Sequence, residues 1–147
     1  AYTDDGKNGT LPRLRGEQTV VLHSRKKKAA LYDINHGMSA IEQVEGETGL
    51  IGRFNDGAHI VFKDIRLDGI KKLTVRAGSF KTASAALEIR KGGPDGEVLA
   101  RVDLPHTGEG KFEEIPVHLS AEGLHDLCIV ARCGKTGEAG LNWIEFR

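Results

Sequence analysis

Short runs of Val, Ile, Leu and Phe recur along the chain, separated by turn signals such as "NDG" (55–57), "GGPDG" (92–96) and "GEG" (108–110). Long helical periodicity is absent. The pattern predicts an all-β chain. Predicted strands are "TVVLHS" (19–24), "GLIGRF" (49–54), "AHIVFKDI" (58–65), "KKLTVRAGS" (71–79), "AALEIRKG" (85–92), "GEVLARVDL" (96–104), "FEEIPVHLS" (112–120), "LHDLCIVAR" (124–132) and "LNWIEFR" (141–147). In "LEIR", alternation puts Leu87 and Ile89 on one face and Glu88 and Arg90 on the other. Pro116 has no N–H to give a ladder, which predicts an edge position or a bulge for its strand. "LHDLCIVAR" is apolar on both faces and reads as a central strand. In the last strand alternation groups Leu141, Trp143 and Glu145 against Asn142, Ile144 and Phe146, so neither face is uniformly apolar.

Strands spaced by roughly 8–15 residues without intervening helices predict a two-sheet antiparallel β-sandwich of jelly-roll type. Residues 1–18 read as a linker or arm, and 19–147 as the sandwich domain. The stretch 24–43, "SRKKKAALYDINHGMSAIEQ", is the least strand-like and is expected to be an irregular excursion with a short helical turn.

A chain of 147 residues can bury a core sufficient for one domain without disulfides or metals. Cys128 and Cys133 are five apart along one strand-to-turn segment, too far to bridge if extended, and Cys128 is expected in the core. Lys+Arg and Asp+Glu balance at 21 each, so a charge-driven partner has to use a local patch. The densest cluster is "RKKK" (25–28), but no aromatics are interleaved with it and nucleic acid is not an expected partner. No apolar run approaches the roughly 20 residues that span a bilayer, and the first residues lack the basic start and apolar middle of a signal peptide. Membrane insertion is not expected.

No nucleophile elbow, zinc-protease motif or phosphate-binding loop is present, and "GKTG" (134–137) reads as a turn. The six histidines lack metal-ligand spacing. His125 and Asp126 would point to opposite faces of a strand, as would Glu113 and Glu114, so neither pair makes a catalytic constellation.

"HIVFKDIRLDGIKKLTVRAGS", "ALEIRKGGPDGEVLARVDLPHTGEGKFEEIPVHL" and "GLHDLCIVARCGKTGEAGLNWIEF" together resemble carbohydrate-binding module family 6. The resemblance is to its divergent members, appended to bacterial dehydrogenases of the glucose/sorbosone type and to trehalose-utilisation-like proteins. It implies a noncatalytic module that targets an attached or partner enzyme to an oligo- or polysaccharide, in a secreted or periplasmic protein. Such modules usually hold a sugar ring between two aromatic side chains in a loop cleft, with an Asn from the last strand. The first aromatic falls near Arg53, beside Phe54, and the second near Glu109 to Lys111, with Phe112 beyond. The Asn falls on Gly140. Asn142 takes the place of an acidic residue that helps hold a structural calcium, whose other carboxylate corresponds to Ala30, so a calcium site would be weakened and no cofactor is required. Arg53, Phe54, Glu109, Lys111, Phe112 and Asn142 are therefore the expected carbohydrate-binding residues, with the concave face of a sheet as another place for the ligand. The alternative is a binding-impaired sandwich kept as a docking or spacing module of a larger secreted enzyme. An independent enzyme is the least supported reading. Trp143 is expected to be a packed ring rather than an exposed platform.

Overall fold

The computed structural model describes residues 25–41, 51–81, 85–108, 111–135 and 137–147. The arm over residues 1–18, the predicted strand 19–24 and Glu109 lie outside them. Among the described residues the chain forms β1 (Lys26–Lys28), a single 3-10 turn (Ala29–Leu31), β2 (Ile34–His36), β3 (Ser39–Ile41), β4 (Ile51–Phe54), β5 (His59–Arg66), β6 (Lys72–Ser79), β7 (Ala85–Lys91), β8 (Val98–Leu104), β9 (Glu113–His118), β10 (Leu124–Arg132) and β11 (Ala139–Phe146). The excursion expected over 24–43 does carry a helical turn. It also contributes three short strands, held by pairing with β11, β5 and β4 rather than by a strand pattern of their own.

These strands make the expected two-sheet antiparallel sandwich with jelly-roll crossing. The first sheet runs β3-β4-β11-β6-β9, with β1 also on β11; the second runs β2-β5-β10-β7-β8. From β4 onward every connection crosses between the sheets except the β7–β8 hairpin, which stays within the second. The described parts of four connections, 55–58, 80–81, 105–108 with 111–112, and 133–135 with 137–138, consequently gather at one end of the sandwich. Asp56 ties two of them together, its carboxylate accepting from the N–H groups of Cys133 (3.0 Å) and Gly134 (3.2 Å). In the same turn Gly57 takes φ +78°, a region costly for residues with a Cβ.

Between the sheets lies one large apolar cluster that includes Phe54, Ile60, Phe62, Leu73, Leu87, Ile89, Leu127, Ile129, Leu141 and Ile144. Each such side chain contributes about 1.5–3 kcal/mol when fully buried. As alternation requires, Leu87 and Ile89 face this core while Glu88 and Arg90 pair on the outside. β10 is central in its sheet, and β9, with Pro116, is an edge strand.

The alternation expected for the last strand needs correction. Simple alternation fails in β11 because Asn142 is an extra residue: Leu141 pairs with Ala77 but Trp143 pairs with Arg76. This β-bulge reverses the parity, so Ala139, Leu141, Ile144 and Phe146 all enter the core, and Trp143 and Glu145 turn outward. Cys128 is buried in a hydrophobic cluster, as expected. It joins Val61 and Val130 in a separate small cluster on the outer face of the second sheet, whereas Cys133 belongs to the main core.

Both cysteines are free and buried. Burial pushes the Cys128 thiol up to about 11, with Arg90 opposing, and burial followed by the Asp56 charge also raises that of Cys133. A disulfide-exchange reagent at neutral pH is therefore expected to leave both thiols of the folded protein unmodified while titrating both in denaturant. Rapid native modification of Cys128 would contradict its placement.

Candidate functional site

At the loop end, one cross-strand row on the outer face of the first sheet joins Ser39, Arg53, Gly140 and Gly78. Two adjacent glycines leave a floor without side chains, and neighbouring groups fill it. A Cβ on Gly140 would run into the Phe80 ring, and one on Gly78 would meet Thr107 Oγ1. Phe80 is only 5% exposed. Its ring meets Phe112 edge-on, with centroids 5.7 Å apart at 71°, and the Arg53 guanidinium lies 5.9 Å from its centroid. Arg76 stands 6.0 Å from the Phe112 ring. Beside them the buried carboxylate of Glu138 is held by ion pairs to Arg53 and to Lys81, the latter at 2.7 Å.

The structure thus brings Arg53, Lys111 and Phe112 to the same end, around a centre occupied by Phe80. It does not bring Phe54 or Asn142 to a ligand. Phe54 is fully buried, because its position in β4 alternates with that of Arg53 and points into the core. Asn142 is 2% exposed, enclosed at the bulge it creates. Phe80, Lys81 and Glu138 were not legible as partners of Arg53, since only the register of β4, β11 and β6 makes them neighbours.

Trp143 is neither a core ring nor an open platform. It is half-buried on the outer face, with Lys26 Nζ 3.9 Å from the ring centroid and Lys28 opposite it in the β1–β11 ladder. The basic run 25–28 therefore serves in part as a strap over the indole. His125 and Asp126 form no dyad: His125 Nε2 lies 2.6 Å from the Glu122 carbonyl oxygen, and Asp126 accepts from the Asp64 N–H.

The outer face of the second sheet carries the other concentration of polar groups. Two cross-strand rows span all five strands. One runs His36, His59, Val130, Glu88, Arg101, and the other Ile34, Val61, Cys128, Arg90, Val98. With strands about 4.8 Å apart, each row is roughly 19 Å long. His36 and His59 stack with centroids 5.0 Å apart, and His59 Nδ1 is buried without a hydrogen-bond partner. Glu88 gathers three arginines: Arg90 at 2.7 Å, Arg132 at 3.1 Å and Arg101 at 3.6 Å. Burial works to raise the Glu88 carboxyl's pKa, but hydrogen bonds from Arg90 and Arg132 outweigh it and hold the group below the usual value.

Residues 28–147 match the family model for carbohydrate binding module family 6. The chain belongs to this family. No curated protein matches the chain. Among solved structures, the family 6 module from Bacillus halodurans described as binding β-1,3-glucan superposes with a TM-score of 0.77 at 22% identity, covering 84% of this chain and 96% of that one. A glycoside hydrolase family 43 arabinoxylan arabinofuranohydrolase from Bacillus subtilis, in complex with cellotetraose, gives 0.74 at 17% identity over 84% of this chain and 27% of the larger enzyme. A family 36 module described with calcium and xylotriose gives 0.61 at 15% identity, covering 83% and 98%.

The calcium position that the resemblance implies is weakened in this chain. Neither Ala30 nor Asn142, the residues at the two positions the resemblance implies, supplies a carboxylate. Among the described residues no three His, Cys, Asp or Glu side chains group as metal ligands. The melting temperature is accordingly expected to be the same in excess chelator and in excess calcium, since only a native-state ligand raises it. A calcium-dependent rise would show ligands outside this set.

Gly140 is expected to matter for space rather than flexibility. Gly140→Ala should cost about 1–3 kcal/mol by overpacking against Phe80, measured by denaturant unfolding. In a Phe80→Ala background the same substitution should cost much less, giving a clearly non-additive double-mutant cycle. Additive costs would mean that Phe80 does not rest on Gly140.

Proposed function

We propose that this noncatalytic carbohydrate-binding module takes an oligo- or polysaccharide on the outer face of its second sheet. The supporting observation is the pair of rows across five strands, where a stacked histidine pair stands beside a carboxylate and three guanidiniums. A saccharide needs an apolar ring face for its C–H surface and fixed donors and acceptors for its hydroxyls. The stacked His36 and His59 rings and the Glu88–arginine group offer both. At the loop end, by comparison, Phe80 takes the space above the glycine floor.

The module works within a larger protein, holding an attached catalytic domain near its polysaccharide, in a secreted or periplasmic setting. The B. subtilis enzyme supports this, because the matching part forms only 27% of its chain. Tethering raises the effective concentration of substrate at the enzyme without any new catalytic group. An attached partner of dehydrogenase or trehalose-utilisation type remains part of the proposal.

Affinity electrophoresis through gels containing soluble neutral and acidic polysaccharides tests this reading. At least one polysaccharide is expected to retard the module, His59→Ala should lose most of that retardation while keeping its melting temperature, and Lys111→Ala should keep it. The reverse outcome for the two variants would place the site at the loop end. Retardation by none of the polysaccharides would favour a docking or spacing module.

A further inference from the structure

The charges on the second sheet's outer face are not balanced locally. Around Glu88 stand three guanidiniums, and among the described residues the other carboxylate ion-paired to one of them is Asp103, 3.3 Å from Arg101. Asp103 is 86% exposed, so its pairing is weak and solvent-screened. Arg90 is fully used: its Nε and Nη2 hold Glu88 at 2.9 and 2.7 Å, and its Nη1 donates to the Gly96 carbonyl at 2.8 Å. It is a structural arginine, 18% exposed.

Arg132 and Arg101 are different. Their side chains are 41% and 56% exposed. Arg132 meets Glu88 through Nε, and among the described residues its two Nη groups have no partner. Arg101 directs Nη1 to Glu88 and Nε to Asp103, leaving Nη2 without one. Glu88 thereby orients both planes from one side while their outer edges stay available. A guanidinium oriented in advance loses little entropy on binding, and its N–H edge matches the two oxygens of a carboxylate or sulfate. The chain as a whole carries equal numbers of acidic and basic residues, so a local excess of this kind is what a charge-driven ligand requires.

We infer that the saccharide bound on this face carries an acidic group, a uronate carboxylate or a sulfate ester, seated against the outer edges of Arg132 and Arg101. The inference rests on the sheet-face reading of carbohydrate binding and adds the chemical class of the ligand. Glu88 acts as a positioning residue, holding the two arginines rather than meeting the sugar. Ionic strength weakens the contact, because both arginines are partly exposed.

Isothermal titration calorimetry with three oligosaccharide probes of matched length tests it: an oligogalacturonate, a sulfated galactan fragment and a neutral xylo-oligosaccharide. One of the two acidic probes should bind at least about ten-fold more tightly than the neutral one, and which of them does so identifies the acidic group. That preference should shrink as sodium chloride is raised. Arg132→Gln and Arg101→Gln should each lower affinity for the acidic probe several-fold, whereas Lys72→Gln, the same loss of charge on the other sheet, should not. Equal binding of acidic and neutral probes, or equal effects of Arg132→Gln and Lys72→Gln, would overturn the inference and leave the carbohydrate reading intact. Failure of every probe, alongside a failure of electrophoretic retardation, would remove the carbohydrate reading as well.

Discussion

The extra residue in β11 is the constraint on which the first sheet depends. β11 is the hub of that sheet, paired with β4 and β1 along one side and β6 along the other. Without a bulge at Asn142, a strand that buries Ala139 and Leu141 would have to bury Trp143 and Glu145 and expose Ile144 and Phe146. The bulge lets both halves place their apolar residues in the core, and it sends Trp143 to the outer face, to which Gly140 already points by alternation with Ala139 and Leu141. On that outer face Gly140 forms the floor under Phe80, and Trp143, turned outward by the bulge, becomes the ring that Lys26 covers.

The same sandwich thus presents two very different outer surfaces. At the loop end of the first sheet, the fold satisfies itself: an aromatic pair fills the glycine floor and the buried Glu138 carboxylate is held by Arg53 and Lys81. A buried carboxylate needs such partners, because desolvation without them costs several kcal/mol. On the second sheet the polar groups are laid out along a face, and guanidinium edges are left over after Glu88 is satisfied. The proposed binding chemistry uses the surface whose hydrogen-bonding capacity the fold does not consume.

Much of the architecture was legible in the sequence because a half-buried strand records its own orientation. Leu87 and Ile89 against Glu88 and Arg90 gave the two faces of β7 directly, the continuous apolar run in β10 marked a central strand, and Pro116 marked an edge. Other parts left weaker records. β1 to β3 are held by partners distant in sequence, and their polar residues carry no strand pattern of their own. The bulge showed only indirectly, as a last strand on which neither face was consistently apolar. Of the residues placed at the site by resemblance, Arg53, Lys111 and Phe112 reach the loop end, while Phe54 and Asn142 are enclosed.

The amino-acid sequence by itself determined the strand set, the sandwich class and the resemblance to a sugar-binding family, because alternation, turn residues and spacing are local properties of a chain. It also determined that no global charge would drive binding. Only the tertiary structure decided that Phe80 rests on Gly140, and that His59, Glu88, Arg101 and Arg132 share one face. Those neighbours are set by cross-strand register between β5, β10, β7 and β8, which links residues up to 73 positions apart by sequence number (132 against 59) and leaves no local trace.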